Sequence, residues 1–202
     1  MTLNHTHTEA ILHLARNNEV LTARAVVAHG VPRVALTRLV RSGQLHRIGR
    51  GLYALPGRVL SEKHQLAEIA GRAPRGVFCL LTALHFHDVG TQSPFELWLA
   101  IPNKARAPRV DYPPVRIVRF SGTALTEGVE THVIDGIQVR IYSVAKTVAD
   151  CFKFRNKIGL DVALEALRQS WRGKRVTMDA LWHYARVCRV ANVMRPYLES
   201  LE

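Results

Sequence analysis

The chain has 202 residues, of which 48% are hydrophobic, and it carries 28 lysines and arginines against 16 acidic residues, a formal net charge of +12. This hydrophobic fraction excludes a globally disordered chain and is enough for one large or two small packed domains. The charge favours an anionic partner, with nucleic acid first, an acidic protein second and a membrane surface third. No apolar run has transmembrane length and no signal peptide is evident, so we expect a cytoplasmic protein without a membrane partner.

The first predicted elements are a supporting helix and a short second helix. Apolar residues recur through 8–16, which predicts the first helix. Thr22 stands where an N-cap belongs, ahead of a short helix over 23–28. Gly30 can take a positive φ and end that helix, and Pro32 suits the first turn of the next one. The segment 29–32 is therefore predicted to be a turn between two helices.

The next helix is predicted to have one apolar and one basic face. Leu36, Leu39 and Val40 repeat at helical spacing and are expected to face a core. The opposite face carries no acidic residue and comprises Arg33, Val34, Thr37, Arg38 and Arg41. Ser42 and Gly43 are expected to end this helix.

A basic hairpin is predicted after this helix. The runs 45–48 and 52–55 are compatible with strands, and 49–51 is a tight turn with Arg50 at its tip and Arg47 on the first strand. Helix, turn, helix and hairpin in this order predict a winged helix-turn-helix domain over residues 1–57. Those residues hold seven arginines, no lysine and two glutamates, a net charge of +5.

This arrangement predicts binding to double-stranded DNA. The second helix of the pair would enter the major groove, where Arg33, Thr37, Arg38 and Arg41 can contact phosphates or base edges. The hairpin, or wing, would lie along the DNA backbone and bring Arg47 and Arg50 to it. The alternative is a protein-interaction module whose basic surface neutralises an acidic partner.

Residues 58–202 are predicted to form a second, α+β domain. A small antiparallel sheet is expected from strands at 95–101, 115–120, 129–134 and 137–142, the last two joined by an Asp135-Gly136 hairpin turn. Segment 103–114, with Lys104, Arg106 and Arg109, is read as an exposed basic loop. Helices are predicted at 61–70 with Ser61 as a cap, at 77–87, at 143–152, and at the C-terminus at 159–171, 177–188 and 191–201. The fold class is therefore α+β.

Three blocks of this sequence resemble the AbiEi antitoxins of bacterial type IV toxin–antitoxin, or abortive-infection, systems. The blocks are the wing at 45–56, the segment 82–102 that begins Thr-Ala-Leu-His-Phe-His-Asp-Val, and the segment 142–167 with Ala-Lys-Thr-Val-Ala-Asp. The resemblance implies an N-terminal winged helix that binds inverted repeats in the operon's own promoter and represses it. It also implies a C-terminal domain that opposes a cognate nucleotidyltransferase toxin. Asp88 stands where members of the family often have glycine, and a regulator without a toxin is the alternative.

The sequence gives little support for a metal site or a catalytic site. His85 and His87 are two residues apart on a predicted helix, where they point to different faces, so we expect no metal site and a packing role for His87. Asp88, Glu96 and Lys104 most resemble the two carboxylates and one lysine of a nuclease site. Their spacing in the sequence is wrong for such a catalytic cluster. Lys146 and Asp150 are expected to form an ion pair on one helix face. No catalytic residue and no cofactor is predicted.

The three cysteines, Cys79, Cys151 and Cys188, are far apart in the sequence. An odd number at such spacing is typical of reduced thiols rather than of a disulfide framework. Each is expected to be a small buried hydrophobic residue.

Overall fold

The computed structural model of the protein describes residues 2–18, 20–57, 63–110 and 113–201. The chain divides into two compact units, Met1–Pro74 with His132–Val139, and Arg75–Thr131 with Arg140–Glu202. The fold is mixed α+β, as predicted. The domain boundary after residue 57 stays a prediction, and the predicted cap Ser61 lies outside the described residues.

Among its described residues up to Pro74, the first unit has four helices and a small antiparallel sheet. Its elements in chain order are α1 (Thr2–Asn17), β1 (Leu21–Thr22), α2 (Ala23–Ala28), α3 (Arg33–Arg41), β2 (His46–Gly49), β3 (Leu52–Ala54) and α4 (His64–Arg72). The strands lie in the order β1-β3-β2. The core under α1–α3 is formed by Ile11, Ala15, Leu21, Val26, Val31, Ala35, Leu36, Leu39 and Leu45. The predicted helices, turn and hairpin are all present, and α1 begins earlier than expected.

The remaining elements form a five-stranded sheet with helices before and after its strands. They are β4 (Val77–Phe78), α5 (Leu80–Phe86), β5 (Leu97–Pro102), β6 (Val115–Phe120), α6 (Thr123–Thr126), β7 (Val129–Ile134), β8 (Ile137–Tyr142), α7 (Val144–Lys153), α8 (Arg155–Ile158), α9 (Leu160–Arg172), α10 (Met178–Val187) and α11 (Ala191–Glu199). The strand order is β6-β5-β4-β8-β7. The turn between β7 and β8 is the predicted one, with Asp135 and Gly136 both at positive φ.

The sheet is mixed, so the prediction of an antiparallel sheet is wrong. β4 runs antiparallel to β5 but parallel to β8, and β5 and β6 are parallel neighbours in register from Leu97↔Val115 to Pro102↔Phe120. Parallel neighbours need a connection that returns to the starting end of the first strand. The described residues between β5 and β6, 103–110 and 113–114, contain no helix. A loop of this kind has no sequence signature that separates it from the connection of two antiparallel strands.

The predicted helix over 77–87 is wrong at its first residues. Val77 and Phe78 form β4, and α5 begins at Leu80. β4 lies between β5 and β8, where both of its residues are buried. A short apolar run of this kind is compatible with a buried strand or a buried helix. Here, pairing with β5 and β8 makes the segment a strand.

Candidate nucleic-acid interface

The turn between α2 and α3 is fixed by local hydrogen bonds. Thr22 Oγ1 accepts a bond from the Ala25 N–H at 3.0 Å and so caps α2 as predicted. At the other end Gly30 has φ +74°, and its N–H donates to the Val27 carbonyl at 2.9 Å. This left-handed conformation favours glycine. Pro32, with φ −65°, then caps α3, which begins at Arg33.

α3 has an apolar face toward the core and a basic face toward solvent. Ala35, Leu36 and Leu39 are buried. The side chains on the opposite face are all exposed, namely Arg33, Val34, Thr37, Arg38 and Arg41. The helix contains no acidic residue. Packing of the apolar stripe therefore holds the cations outward on a rigid element.

The hairpin formed by β2 and β3 is attached to the start of α2. The Ala23 N–H donates to the Gly51 carbonyl at 2.7 Å, and Gly51 has φ +79°. Arg50 is exposed in the turn. Arg47 is exposed on β2, and its Nε donates to the Gly49 carbonyl at 3.2 Å. The hairpin and the two helices are thus linked by main-chain contacts as well as by the core.

A supporting contact from α4 to the hairpin was not predicted from the sequence. A Cβ atom at Gly49 would lie 2.8 Å from Glu68 Oε1, so glycine at this position leaves room for the Glu68 carboxylate beside the hairpin. Arg72 forms an ion pair with Glu68 on the same helix. The signal in the sequence is the Glu–Arg spacing of four residues, which is typical of such pairs. The pair offsets the one acidic charge that α4 brings to the hairpin.

All six residues predicted to contact DNA are exposed side chains of one compact unit. Arg33, Thr37, Arg38 and Arg41 lie on α3, and Arg47 and Arg50 lie on the hairpin and its turn. An exposed guanidinium is always charged and can form paired hydrogen bonds with phosphate oxygens or with guanine. Val34, which is 55% exposed among these cations, adds an apolar side chain suited to a thymine methyl group. The contacts themselves stay a prediction.

The comparison with protein families identifies this part of the chain. Residues 9–56 match the model of a family described as transcriptional regulator, AbiEi antitoxin. Residues 9–56 are therefore similar to the transcriptional regulators of this family. The resemblance inferred from the sequence is confirmed over these residues, which run from α1 to the end of the hairpin.

Comparison with solved structures shows a likeness of fold over most of the chain. The crystal structure of the RV2827C protein from Mycobacterium tuberculosis matches with a TM-score of 0.53 and 14% sequence identity, over 90% of this chain and 71% of that one. At this identity the likeness is one of fold. No curated protein shows a significant match.

The block Tyr142–Asp150 is mostly buried and contains an ion pair. Lys146 Nζ lies 2.6 Å from Asp150 Oδ2, and both side chains are 0% exposed. The predicted ion pair is therefore confirmed, but inside the core rather than on a surface. The Lys146 ammonium also lies 4.0 Å from the centre of the Tyr142 ring, and Cys188 Sγ donates to Asp150 Oδ1 at 3.2 Å. Burial raises the pKa of the Asp150 carboxyl, and the Lys146 charge opposes that rise.

The three cysteines are free and buried, as predicted. Burial, with the Asp150 charge as the second cause, raises the pKa of Cys79 and Cys151 well above the ordinary thiol value and that of Cys188 to about 12. Thiolate is the reactive form, so we expect the native thiols to resist alkylation and disulfide exchange.

Measuring the free energy of unfolding as a function of pH tests the buried environment of Cys188. The Cys188 thiol ionises near pH 9.0 in the unfolded chain but only near 12 in the folded one, so its contribution to stability is complete below pH 9 and is lost as pH rises toward 12. We expect it to lower the free energy of unfolding by about 1 kcal/mol at pH 10 relative to pH 8. Urea denaturation at both pH values measures the change. In Cys188→Ala this part of the pH dependence should be absent, and an unchanged dependence would contradict the assignment.

Of the other candidate residues, His87 and Glu96 form contacts within the fold. His87 Nε2 donates to the Tyr142 carbonyl at 2.8 Å, which confirms its expected role within the fold. Asp88 is exposed and has φ +52°, a conformation that explains why glycine suits this position. Glu96 Oε1 pairs with Arg116 Nε at 2.6 Å, and Lys104 is exposed. Among the described residues, no group of three or more His, Cys, Asp or Glu side chains could hold a metal ion.

None of the described helices combines the length and the apolar composition that crossing a membrane requires.

Proposed function

We propose that this protein is a DNA-binding transcriptional repressor that autoregulates its operon and acts as the antitoxin of a type IV toxin–antitoxin system. In this proposal residues 1–57 are a winged helix-turn-helix domain and residues 58–202 are the antitoxin domain. The protein then acts on promoter DNA in the cytoplasm. No catalytic role is assigned to any residue.

The observation that carries the DNA-binding proposal is the uninterrupted basic face of α3. Arg33, Arg38 and Arg41 are exposed on a helix without acidic residues, and the buried side chains of the same helix fix its orientation. A helix of this kind, followed by a basic hairpin, fits the electrostatic and steric requirements of major-groove binding. The family description of residues 9–56 as a transcriptional regulator supports the same function.

The role of each side chain follows from its place on the unit. Arg33, Thr37, Arg38 and Arg41 would contact base edges and phosphates in the major groove. Arg50, between Gly49 and Gly51, would reach the phosphate backbone or the adjacent minor groove, and Arg47 would contact the backbone beside it. The expected target is an inverted repeat in the promoter of the protein's own operon.

A gel-shift and footprinting experiment on the upstream DNA tests this function. The purified full chain should protect an inverted repeat, and its affinity should fall steeply with salt because binding releases counterions from phosphates. A scrambled duplex of equal length is the control. Equal affinity for both duplexes would contradict a sequence-specific repressor. Co-purification with the product of a neighbouring gene, without any shift, would favour the protein-interaction alternative.

The antitoxin part of the proposal depends on the neighbouring gene. A nucleotidyltransferase encoded beside this chain should arrest growth when expressed alone, and co-expression of this protein should restore growth. A variant with alanines at Arg38 and Arg41 separates the two functions, because repression requires the basic face and the antitoxin activity is assigned to residues 58–202. Growth arrest that persists in the presence of the intact chain would contradict the antitoxin assignment.

A further inference from the structure

The second unit carries a cavity beside β6, an edge strand of the five-stranded sheet. The cavity has a volume of about 500 Å³ and is lined by four consecutive residues of β6, Arg116–Arg119, together with Trp98, Ala107, Phe154 and Lys157. We propose that this cavity binds an extended acidic peptide segment of a partner protein, which adds to the sheet as a strand beside β6. The inference does not depend on the DNA-binding function, since it concerns a different unit of the chain.

The main chain of β6 supports strand addition. β6 stands at one end of the sheet order and pairs with β5 along its whole length. In the part of the chain that the structure describes, no strand pairs with its other edge. An edge of this kind presents N–H and C=O groups to an incoming strand. Four lining positions span about 10 Å at roughly 3.3 Å per residue, which accommodates about four peptide residues.

The charges around the cavity favour an acidic segment. Arg116, Arg119 and Lys157 are exposed and line it, and Arg116 Nε pairs with the Glu96 carboxylate at 2.6 Å. Arg119 Nη1 donates to the carbonyls of residues 102, 103 and 105 and so fixes the start of the basic loop that follows β5. Three cations against one carboxylate leave an excess of positive charge for the side chains of the added strand.

Trp98 provides a second, independent observation. Its side chain lines the cavity and is 3% exposed, and the indole Nε1 is buried without a hydrogen-bond partner. An unpartnered buried donor carries a free-energy cost that an acceptor removes, and a peptide carbonyl entering the cavity can serve as one. The Arg116 guanidinium lies 4.7 Å from the centre of the indole ring. Because the ring is covered in this way, it offers no open face for a nucleobase, and a peptide fits the site better than single-stranded nucleic acid.

Fluorescence anisotropy with a labelled Glu-Val-Glu-Val-Glu-Val peptide and the full chain tests the proposal. The protein should bind this peptide more tightly than its Lys-Val counterpart. The double variant Arg119→Glu, Lys157→Glu should weaken binding by about a hundredfold, or about tenfold for each charge that is reversed beside the peptide. The matched control Arg168→Glu, Arg172→Glu carries the same charge change on exposed positions of α9 and should bind as the original chain does.

A second peptide separates strand addition from simple charge attraction. N-methylation of alternate residues removes main-chain donors but keeps the side-chain charges, so this peptide should lose most of its affinity. Equal binding of the methylated peptide would overturn the proposal, as would stronger binding of a dT oligonucleotide that displaces the acidic peptide. Circular dichroism melting shows whether the double variant is folded, and promoter gel shifts report on the DNA-binding function separately.

Discussion

Replacement of Arg33, Arg38, Arg41 and Arg50 together by alanine is expected to lower affinity for the operator by at least about a thousandfold. Each arginine that contacts a base or phosphate contributes about 1–3 kcal/mol, so four replacements cost at least about 4 kcal/mol. The slope of log affinity against log salt should also fall by about 0.9 for each phosphate contact that is removed. Anisotropy with a labelled operator duplex over a series of salt concentrations measures both quantities.

The control for this variant removes the same charge elsewhere. Arg168, Arg172, Arg186 and Arg195 are exposed on helices of the second unit, and their replacement by alanine lowers the net charge equally. If both variants lose affinity to the same extent, only the overall charge matters and the assigned DNA face is wrong. If the first variant retains its affinity, the residues that bind DNA lie elsewhere. Arg38→Ala alone should relax the preference for one base pair rather than weaken binding to all sequences.

Asp150→Ala is expected to lower the free energy of unfolding by about 3–5 kcal/mol. The change leaves the Lys146 ammonium 0% exposed and without its carboxylate, and an unpaired buried charge is among the most costly defects in a core. The bond from the Cys188 thiol to the same carboxylate is lost as well. Urea denaturation at pH 7, followed by circular dichroism, measures the change.

A double replacement separates the effect of removing the whole ion pair from the effect of leaving one charge unpaired. Lys146→Met with Asp150→Leu keeps similar volumes and removes both charges, so it should recover most of the stability that Asp150→Ala loses. Lys153→Ala, at an exposed position of the same helix, should change stability by less than about 0.5 kcal/mol. A loss below about 1 kcal/mol in Asp150→Ala would contradict this account, because the Lys146 ammonium would then be satisfied without the carboxylate.

The elements of the first unit follow from local sequence signals. The cap at Thr22, the glycine at position 30, the proline at position 32 and the apolar spacing of α3 each act within a few residues, and the structure contains the element that each one predicts. The same holds for Asp135-Gly136 between β7 and β8. Signals of this kind are readable because short-range backbone preferences and helical or strand periodicity fix the conformation.

Local patterns in the sequence were sufficient to predict which helix carries the arginines, which side of it faces the core and where the hairpin turns. Contacts between distant segments make Val77 and Phe78 a central strand, make the sheet mixed and bury the pair of Lys146 and Asp150. Such contacts also leave β6 at the end of the sheet among the described strands, beside a cavity. Each of these outcomes depends on which distant segments pair or pack together, and their contacts override the weak local preferences of short apolar runs and of charged residues at helical spacing.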